Sequence, residues 1–271
     1  MRNLVSTDWL EKNISKVRII DGSWHLPSSS RNSLKEFSEA HIKNANFLDL
    51  DKISDQNSKL PHMLPSKDYW ETSISKLGIK NSDHIIIYDN SDLISSCRIW
   101  YNFLYFGHEP NLISVLDGGL KKWLSENKEI TKIEKKFSNS SYIAKENLRM
   151  VLDKNQIDTN ISNKTFELID ARSKERFQGL QLEFRKNLTS GNIPGSKNLP
   201  FKLLINEKNN TFKKVDELQL LFRELNLSSS KGIAFTCGSA VTACILGLAN
   251  SIISGKHPVI YDGSWAEYGL K

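Results

Sequence analysis

The feature that most constrains this chain is an internal repeat. Four short segments of the first half recur in the second half, in the same order and about 150 residues later. The pairs are IIDGS at 19–23 with LIDAR at 168–172, HIKNA at 41–45 with NIPGS at 192–196, IIIYD at 85–89 with IAFTC at 233–237, and SVLDGG at 114–119 with VIYDGS at 259–264. Because chance hardly produces a colinear series, the repeat predicts two copies of one folding unit.

Within each copy, short apolar strands alternate with helical patterns such as those at 68–77, 98–106 and 215–225. This alternation predicts an α/β fold, with parallel strands joined by right-handed crossovers and flanked by helices. The stretch KEITKIEKKFSNSS at 128–141 is polar, rich in lysine and without a clear period. We therefore predict a first domain at 1–127, a linker at 128–141 and a second domain at 142–271.

Charge and cysteine content narrow the class of protein. The net charge is +6, but the basic residues are spread along the chain, which favours a lysine-rich surface over a nucleic-acid site. Part of that charge can attract a small anionic substrate.

Three cysteines without a CxxC motif indicate neither a disulfide framework nor a metal site, and favour a reducing compartment. With no leader-like start and no long apolar run, we expect a cytoplasmic monomer without membrane contact.

One loop of the second copy carries the residue types of a reactive thiol. A strand pattern ends at Cys237, small residues follow, and an apolar helix pattern begins near residue 243. The N–H groups of residues 238–242 and the helix dipole can stabilise a thiolate. We expect Cys237 to be a nucleophile. The alternative is a cysteine that only packs between strand and helix.

The loop CGSAVTA at 237–243 resembles the active loop of 3-mercaptopyruvate sulfurtransferases, usually CGSGVTA, in the tandem-domain rhodanese family. The resemblance continues through DGSWHLP at 21–27, PHMLP at 61–65, RIW at 98–100, FGH at 106–108, SVLDGGL at 114–120, DARS at 170–173, SGNIPGS at 190–196 and YDGSWAE at 261–267. It implies two tandem rhodanese-like domains, each a parallel sheet flanked by helices. It also implies an enzyme that moves sulfur from 3-mercaptopyruvate to a thiol, such as thioredoxin, or to cyanide. The sulfur would travel as a Cys237 persulfide, with release of pyruvate and with no metal or organic cofactor.

The resemblance also implies roles for five other side chains. Arg176 and Arg185 match the two family arginines that bind the carboxylate and carbonyl of the substrate, and a planar guanidinium suits that task. Ser239, His62 and Asp51 match a Ser–His–Asp arrangement that manages the proton of the leaving pyruvate. The latter two lie in the first domain, so the site is expected at the domain interface. The alternatives are solvated arginines and a histidine that only packs.

The loop residues Gly238, Ala240, Val241 and Thr242 are expected to contact the substrate. Ala240 stands where the family usually has glycine, which matters if the loop needs a positive φ there. Thiosulfate sulfurtransferases usually carry CRKGVTA, whose basic residues help to hold a dianion. Gly238 and Ser239 replace them here. The loop therefore favours mercaptopyruvate, with thiosulfate as the alternative donor.

The same residues bear on three competing functions. Cysteine phosphatases need an arginine six residues after the nucleophile, where this chain has Ala243. A scaffold without activity is disfavoured because the cysteine, arginines and histidine are present. A persulfide carrier that feeds a biosynthetic pathway would use the same Cys237 and stays open. Asp89 aligns with Cys237, so the first copy lacks the nucleophile, and Cys97 and Cys244 are expected to pack in the core.

Overall fold

The computed structural model describes residues 3–271, which form two compact units. The first contains the residues up to Gln56, Leu64–Asn147 and Glu207–Thr211, and the second contains Asn57–Met63, Leu148–Asn206 and Phe212–Lys271. Among the described residues, no helix has both the length and the apolar character needed to cross a membrane. No group of three or more His, Cys, Asp or Glu in residues 3–271 could hold a metal ion.

The first unit is a parallel sheet with helices around it. Its strands are β1 (Leu4–Val5), β2 (Arg18–Asp21), β3 (His41–Ile42), β4 (Ala45–Phe47), β5 (Ile85–Tyr88), β6 (Ile113–Leu116) and β7 (Ile130–Thr131). Its helices are α1 (Thr7–Asn13), α2 (Ser33–Glu39), α3 (Leu50–Ile53), α4 (Lys67–Lys76), α5 (Ser96–Tyr105) and α6 (Gly119–Ser125). The five-stranded sheet has the order β1-β6-β5-β2-β4, and β3 pairs separately with β7.

The second unit repeats this plan. Its strands are β8 (Val151–Leu152), β9 (Phe166–Asp170), β10 (Lys197–Asn198), β11 (Gly232–Thr236) and β12 (Ile260–Tyr261). Its helices are α7 (Lys154–Asn163), α8 (Lys174–Phe177), α9 (Val215–Glu224), α10 (Ala243–Ser254) and α11 (Ser264–Tyr268). The sheet order β8-β12-β11-β9-β10 is that of the first sheet, strand for strand. The predicted α/β fold with two copies of one unit is confirmed.

Burial explains why the central strands are apolar runs. All four residues of β5 are buried, and so are all ten residues of α5, which follows it. In the second unit, β11 ends in three buried residues and most of α10 is buried. A parallel strand covered by helices on both faces must be apolar throughout, not on alternate residues. This cover leaves the carboxyl ends of β5 and β11 as the places where polar loops begin.

The polar stretch 128–141 lies along the first unit. Its strand β7 pairs antiparallel with β3, the Ser140 N–H donates to the Ser75 carbonyl at 2.9 Å, and the Arg18 guanidinium lies 3.6 Å from the centre of the Phe137 ring. The first unit continues to Asn147. The domain boundaries inferred from the sequence stay predictions.

Candidate active site

The loop after β11 is held by the first turn of α11. The N–H groups of Cys237 and Ala240 both donate to the Ser264 hydroxyl, at 3.3 and 3.1 Å. In return, the Trp265 N–H donates to the Cys237 carbonyl and the Ala266 N–H donates to the Gly238 carbonyl, each at 2.9 Å. These four bonds fix Cys237, which is 2 % exposed, at the carboxyl edge of the sheet. The Ala240 N–H is one of the groups expected around the sulfur, but it donates its hydrogen bond to the Ser264 hydroxyl.

Ala240 has the backbone conformation that favours glycine. Its φ is +58° and its side chain is fully buried. The left-handed conformation costs an alanine about 1–2 kcal/mol, which gives a physical reason for the usual glycine at this place in the family loop. The alanine methyl group is accommodated in the packed interior, so the loop keeps its course at the expense of some backbone strain.

Ser239 is the meeting point of two predicted site residues. Its hydroxyl lies 3.0 Å from Nδ1 of His62 and accepts a hydrogen bond from Nη2 of Arg185 at 3.2 Å. Ser239 and His62 are 7 % and 5 % exposed. Because a guanidinium can only donate, the Ser239 proton remains available for exchange with the imidazole. His62 was expected in the first domain, whereas the structure groups its segment, Asn57–Met63, with the second unit.

The predicted arginines flank Gly238. A Cβ added at Gly238 would lie 3.3 Å from Nη2 of Arg176 and 3.8 Å from Nη1 of Arg185. A larger residue there would press on Arg176, so the glycine lets both guanidinium groups approach the loop. Burial lowers the pKa of Arg185, while the nearby Cys237 acts in the opposite direction. The arrangement places positive charge where an anionic substrate can be held beside the sulfur.

Sequence reasoning missed the carboxylate that holds Arg176. The Glu183 side chain, 2 % exposed, accepts from Nη2 of Arg176 at 2.6 Å and from Nη1 of Arg172 at 2.9 Å. Arg172 donates to both oxygens of Asp170 and lies over the Trp265 ring at 4.4 Å. The sequence feature that could have indicated this ion-pair network is an acidic residue, Glu183, between the two arginines predicted to bind the substrate.

The remaining predicted residues are placed as follows. Asp51 is on α3 of the first unit, where its Oδ1 accepts from Nε1 of Trp24 at 3.0 Å. Both line a cavity of about 400 Å³ in that unit. Val241 is buried, and Thr242 precedes the first residue of α10. The pairing of Asp51 with His62 and the substrate contacts of Val241 and Thr242 stay predictions.

The first unit carries a carboxylate at the place of the thiol. Asp89 follows β5 as Cys237 follows β11, and its carbonyl accepts from the Leu120 N–H at 2.9 Å, as that of Cys237 accepts from Trp265. The Asp89 carboxylate accepts from the N–H groups of Ser91 and Ser96, at 2.8 and 3.0 Å. Burial raises its pKa. The two loops thus share a backbone frame but not their chemistry.

Comparison with known proteins agrees with this architecture. The model of the rhodanese-like domain matches residues 6–126 and 153–271. The chain is 37% identical to thiosulfate/3-mercaptopyruvate sulfurtransferase 2 of Arabidopsis thaliana, over 98% of this chain and 83% of the relative. It is 37% identical to 3-mercaptopyruvate sulfurtransferase of Rattus norvegicus, over 100% and 93%.

The crystal structure of SseA from Escherichia coli, described as having the rhodanese fold and the mechanism of 3-mercaptopyruvate sulfotransferases, superposes with a TM-score of 0.88. It is 31% identical, over 98% of this chain and 99% of SseA. Two units with one sheet order, both matched by the same domain model, account for the internal repeat. The chain belongs to the rhodanese family and is a sulfurtransferase built from two rhodanese-like domains.

Proposed function

We propose that this sulfurtransferase takes sulfur from 3-mercaptopyruvate, carries it on Cys237 as a persulfide and releases pyruvate. The observation that carries the proposal is the position of Arg176 and Arg185 against Gly238, one residue from the sulfur. The name of the relative in Rattus norvegicus supports the same donor, and that of the relative in Arabidopsis thaliana includes both this donor and thiosulfate. Cytoplasmic location, a monomeric state and the absence of membrane and nucleic-acid partners stay predictions from the sequence.

Binding of the donor uses the two arginines. A 2-oxo acid presents a carboxylate and an adjacent carbonyl oxygen, and planar guanidinium groups donate in pairs to such acceptors. The Glu183 carboxylate holds Arg176 through Nη2. Ser239 and Gly238 add no charge to the loop. One carboxylate is therefore balanced without the further cations that a thiosulfate dianion would favour.

The transfer step balances without any other reactant. The Cys237 thiolate attacks the sulfur of mercaptopyruvate, the new S–S bond forms, and the C–S bond breaks with its electron pair on carbon. The resulting enolate takes up the proton that the donor thiol loses, which gives pyruvate and leaves a persulfide anion on Cys237. Ser239 and His62, 3.0 Å apart, can pass that proton.

A thiol acceptor or cyanide then removes the outer sulfur. A thiolate attacks the outer sulfur atom, the S–S bond to Cys237 breaks, and Cys237 leaves as a thiolate ready for the next cycle. Thioredoxin in its reduced form is the protein thiol that we would use as acceptor. A carrier that hands its sulfur to a biosynthetic enzyme would use the same steps with another thiol.

The test compares two donors on one purified protein. Pyruvate release from 3-mercaptopyruvate is measured beside thiocyanate formation from thiosulfate and cyanide. We expect kcat/KM for mercaptopyruvate to be larger by about tenfold or more, a difference of about 1.4 kcal/mol in transition-state binding. A larger value for thiosulfate would overturn the choice of donor, and pyruvate release by a Cys237→Ser variant would overturn the persulfide route.

A further inference from the structure

Three exposed apolar side chains lie on the segment between the two arginines that are proposed to bind the substrate. Leu180, Leu182 and Phe184 are 77%, 83% and 62% exposed, whereas large apolar side chains of a soluble protein are mostly covered. All three belong to the segment between Arg176 and Arg185. We call these three exposed apolar side chains, which lie within five residues of the chain, the rim patch.

The backbone under the rim patch is held in place. The N–H groups of Leu180 and Gln181 both donate to the Glu175 carbonyl, at 2.9 and 3.3 Å. Glu183, between Leu182 and Phe184, turns its carboxylate inward to two arginines. Because the buried carboxylate fixes the chain at that point, the apolar side chains on either side of it are presented outward on a defined backbone.

The rim patch is continuous with the sulfur site. The Arg176 guanidinium carbon lies 4.9 Å from the centre of the Phe184 ring. Arg185 follows Phe184 in the chain, and it donates to the hydroxyl of Ser239, which is two residues from Cys237. A protein that covers these side chains therefore brings its own residues to the mouth of the site. A small thiol or cyanide gains nothing from such a surface.

We infer that Leu180, Leu182 and Phe184 form the docking surface for a protein thiol acceptor. This inference rests on the proposed function, since it names the partner of the same persulfide. Exposed Lys174 and Lys186 stand at the two ends of the loop, against one exposed acid, Glu175. The acceptor that fits has an apolar face around its thiol, with carboxylates at the edge of that face.

The step at this surface is a simple sulfur exchange. The acceptor thiolate attacks the outer sulfur of the Cys237 persulfide, the new S–S bond forms on the acceptor, and Cys237 departs as a thiolate. In an acceptor with two thiols, the second thiolate then attacks the acceptor sulfur that carries the transferred atom. A disulfide forms within the acceptor, and the transferred sulfur leaves as hydrosulfide. No other oxidant or reductant is needed.

The test separates a protein acceptor from a small one. The double variant Leu180→Ser/Leu182→Ser is compared with the wild-type chain, using whichever donor reacts, and with reduced thioredoxin, dithiothreitol or cyanide as acceptor. Phe184 is left in place because it touches Arg176. The control Leu203→Ser/Leu220→Ser changes two leucines of the same unit that are 46% and 55% exposed elsewhere.

We expect kcat/KM for thioredoxin to fall about tenfold or more in the rim variant, while the values for dithiothreitol and cyanide and all those of the control stay within about twofold. An unchanged value for thioredoxin, or an equal fall for all acceptors, would overturn the docking surface. A dimer of the wild-type chain that the rim variant abolishes, in sedimentation velocity, would assign the patch to a second copy instead. Failure of the wild-type chain with dithiothreitol contradicts the proposed function separately.

Discussion

At the scale of single residues, the site depends on buried carboxylates that orient arginine side chains. Glu183 binds Arg172 and Arg176 at once, and Arg172 is bound again by Asp170. A buried carboxylate with two guanidinium partners orients both of them, because each loses the freedom to turn elsewhere. If Arg176 binds the substrate as proposed, it does so already aimed at the loop, and we expect Glu183 to be a positioning residue.

The variant Glu183→Gln tests this role. The amide keeps the volume but loses the charge, and its NH₂ group faces guanidinium groups that can only donate. We expect KM for mercaptopyruvate to rise about tenfold or more with a smaller fall in kcat, because the grip on the carboxylate is weakened before the chemical step. Steady-state pyruvate release measures both constants.

The matched control is Glu175→Gln, which removes an exposed acid from the helix that carries Arg176. It should leave both constants within about twofold. If Glu183→Gln lowers kcat and the urea midpoint but leaves KM unchanged, Glu183 only supports the fold, and its positioning role is wrong.

At the scale of elements, corresponding strands end in the same residue with different partners. Asp170 ends β9 and is paired with the Arg172 guanidinium. Asp21 ends β2, and two residues later stands Ser23, whose N–H donates to it at 2.9 Å. Burial without a cation raises the pKa of Asp21 to about 6. Below about pH 6 the folded first unit therefore carries a proton on Asp21, whereas the corresponding Asp170 of the second unit is in an ion pair.

This difference makes the stability of the chain depend on pH. The folded Asp21 keeps its proton up to about pH 6, while the unfolded one loses it near 3.8, so the folded state binds more protons between these values. Relative to Asp21→Asn, the free energy of unfolding of the wild-type chain should fall by about 2 kcal/mol as pH rises from 4 to 6, and then level off over the next pH unit.

Urea unfolding of both proteins between pH 4 and 7.5 measures this difference. Asp68→Asn, at an exposed carboxylate, provides the control and should show a much smaller change. A difference between the wild-type chain and Asp21→Asn that is constant over this range would show that Asp21 is ionised in the fold throughout.

At the scale of the whole molecule, the fold could be predicted from the repeat. The site could be predicted only in part, because it depends on residues that differ between the two copies. Strand ends recur in sequence, so two sheets with one strand order follow from pattern alone. Ser264 and Glu183 could not be assigned this way. The role of Ser264 depends on contacts with residues 24 or more positions away, and the role of Glu183 depends on its side chain turning inward. Neither property produces a periodic pattern in the sequence.

The two loops also differ in whether their arginine is free for a substrate. In the first unit, Arg31 donates to the Asn90 carbonyl beside Asp89, but its Nε and Nη2 both bind Glu36, at 2.8 and 2.7 Å. In the second unit, Glu183 engages Arg176 through one nitrogen. The first loop therefore lacks both the thiol and an open guanidinium face.

This comparison predicts that moving the thiol does not move the activity. Cys237→Ser should lower pyruvate release about 10³-fold or more, since the proposed nucleophile is lost and the other two thiols, of Cys97 and Cys244, are fully buried. Adding Asp89→Cys to that variant should restore nothing, because Glu36 occupies Nε and Nη2 of Arg31 and so blocks paired hydrogen bonds from that edge to the substrate carboxylate. Pyruvate release and labelling of the new thiol, which verifies that it reacts, are measured on both proteins. Recovery of even a tenth of the wild-type rate would mean that the thiol in this frame suffices, and that the arginines beside Gly238 are not what confines sulfur transfer to the second unit.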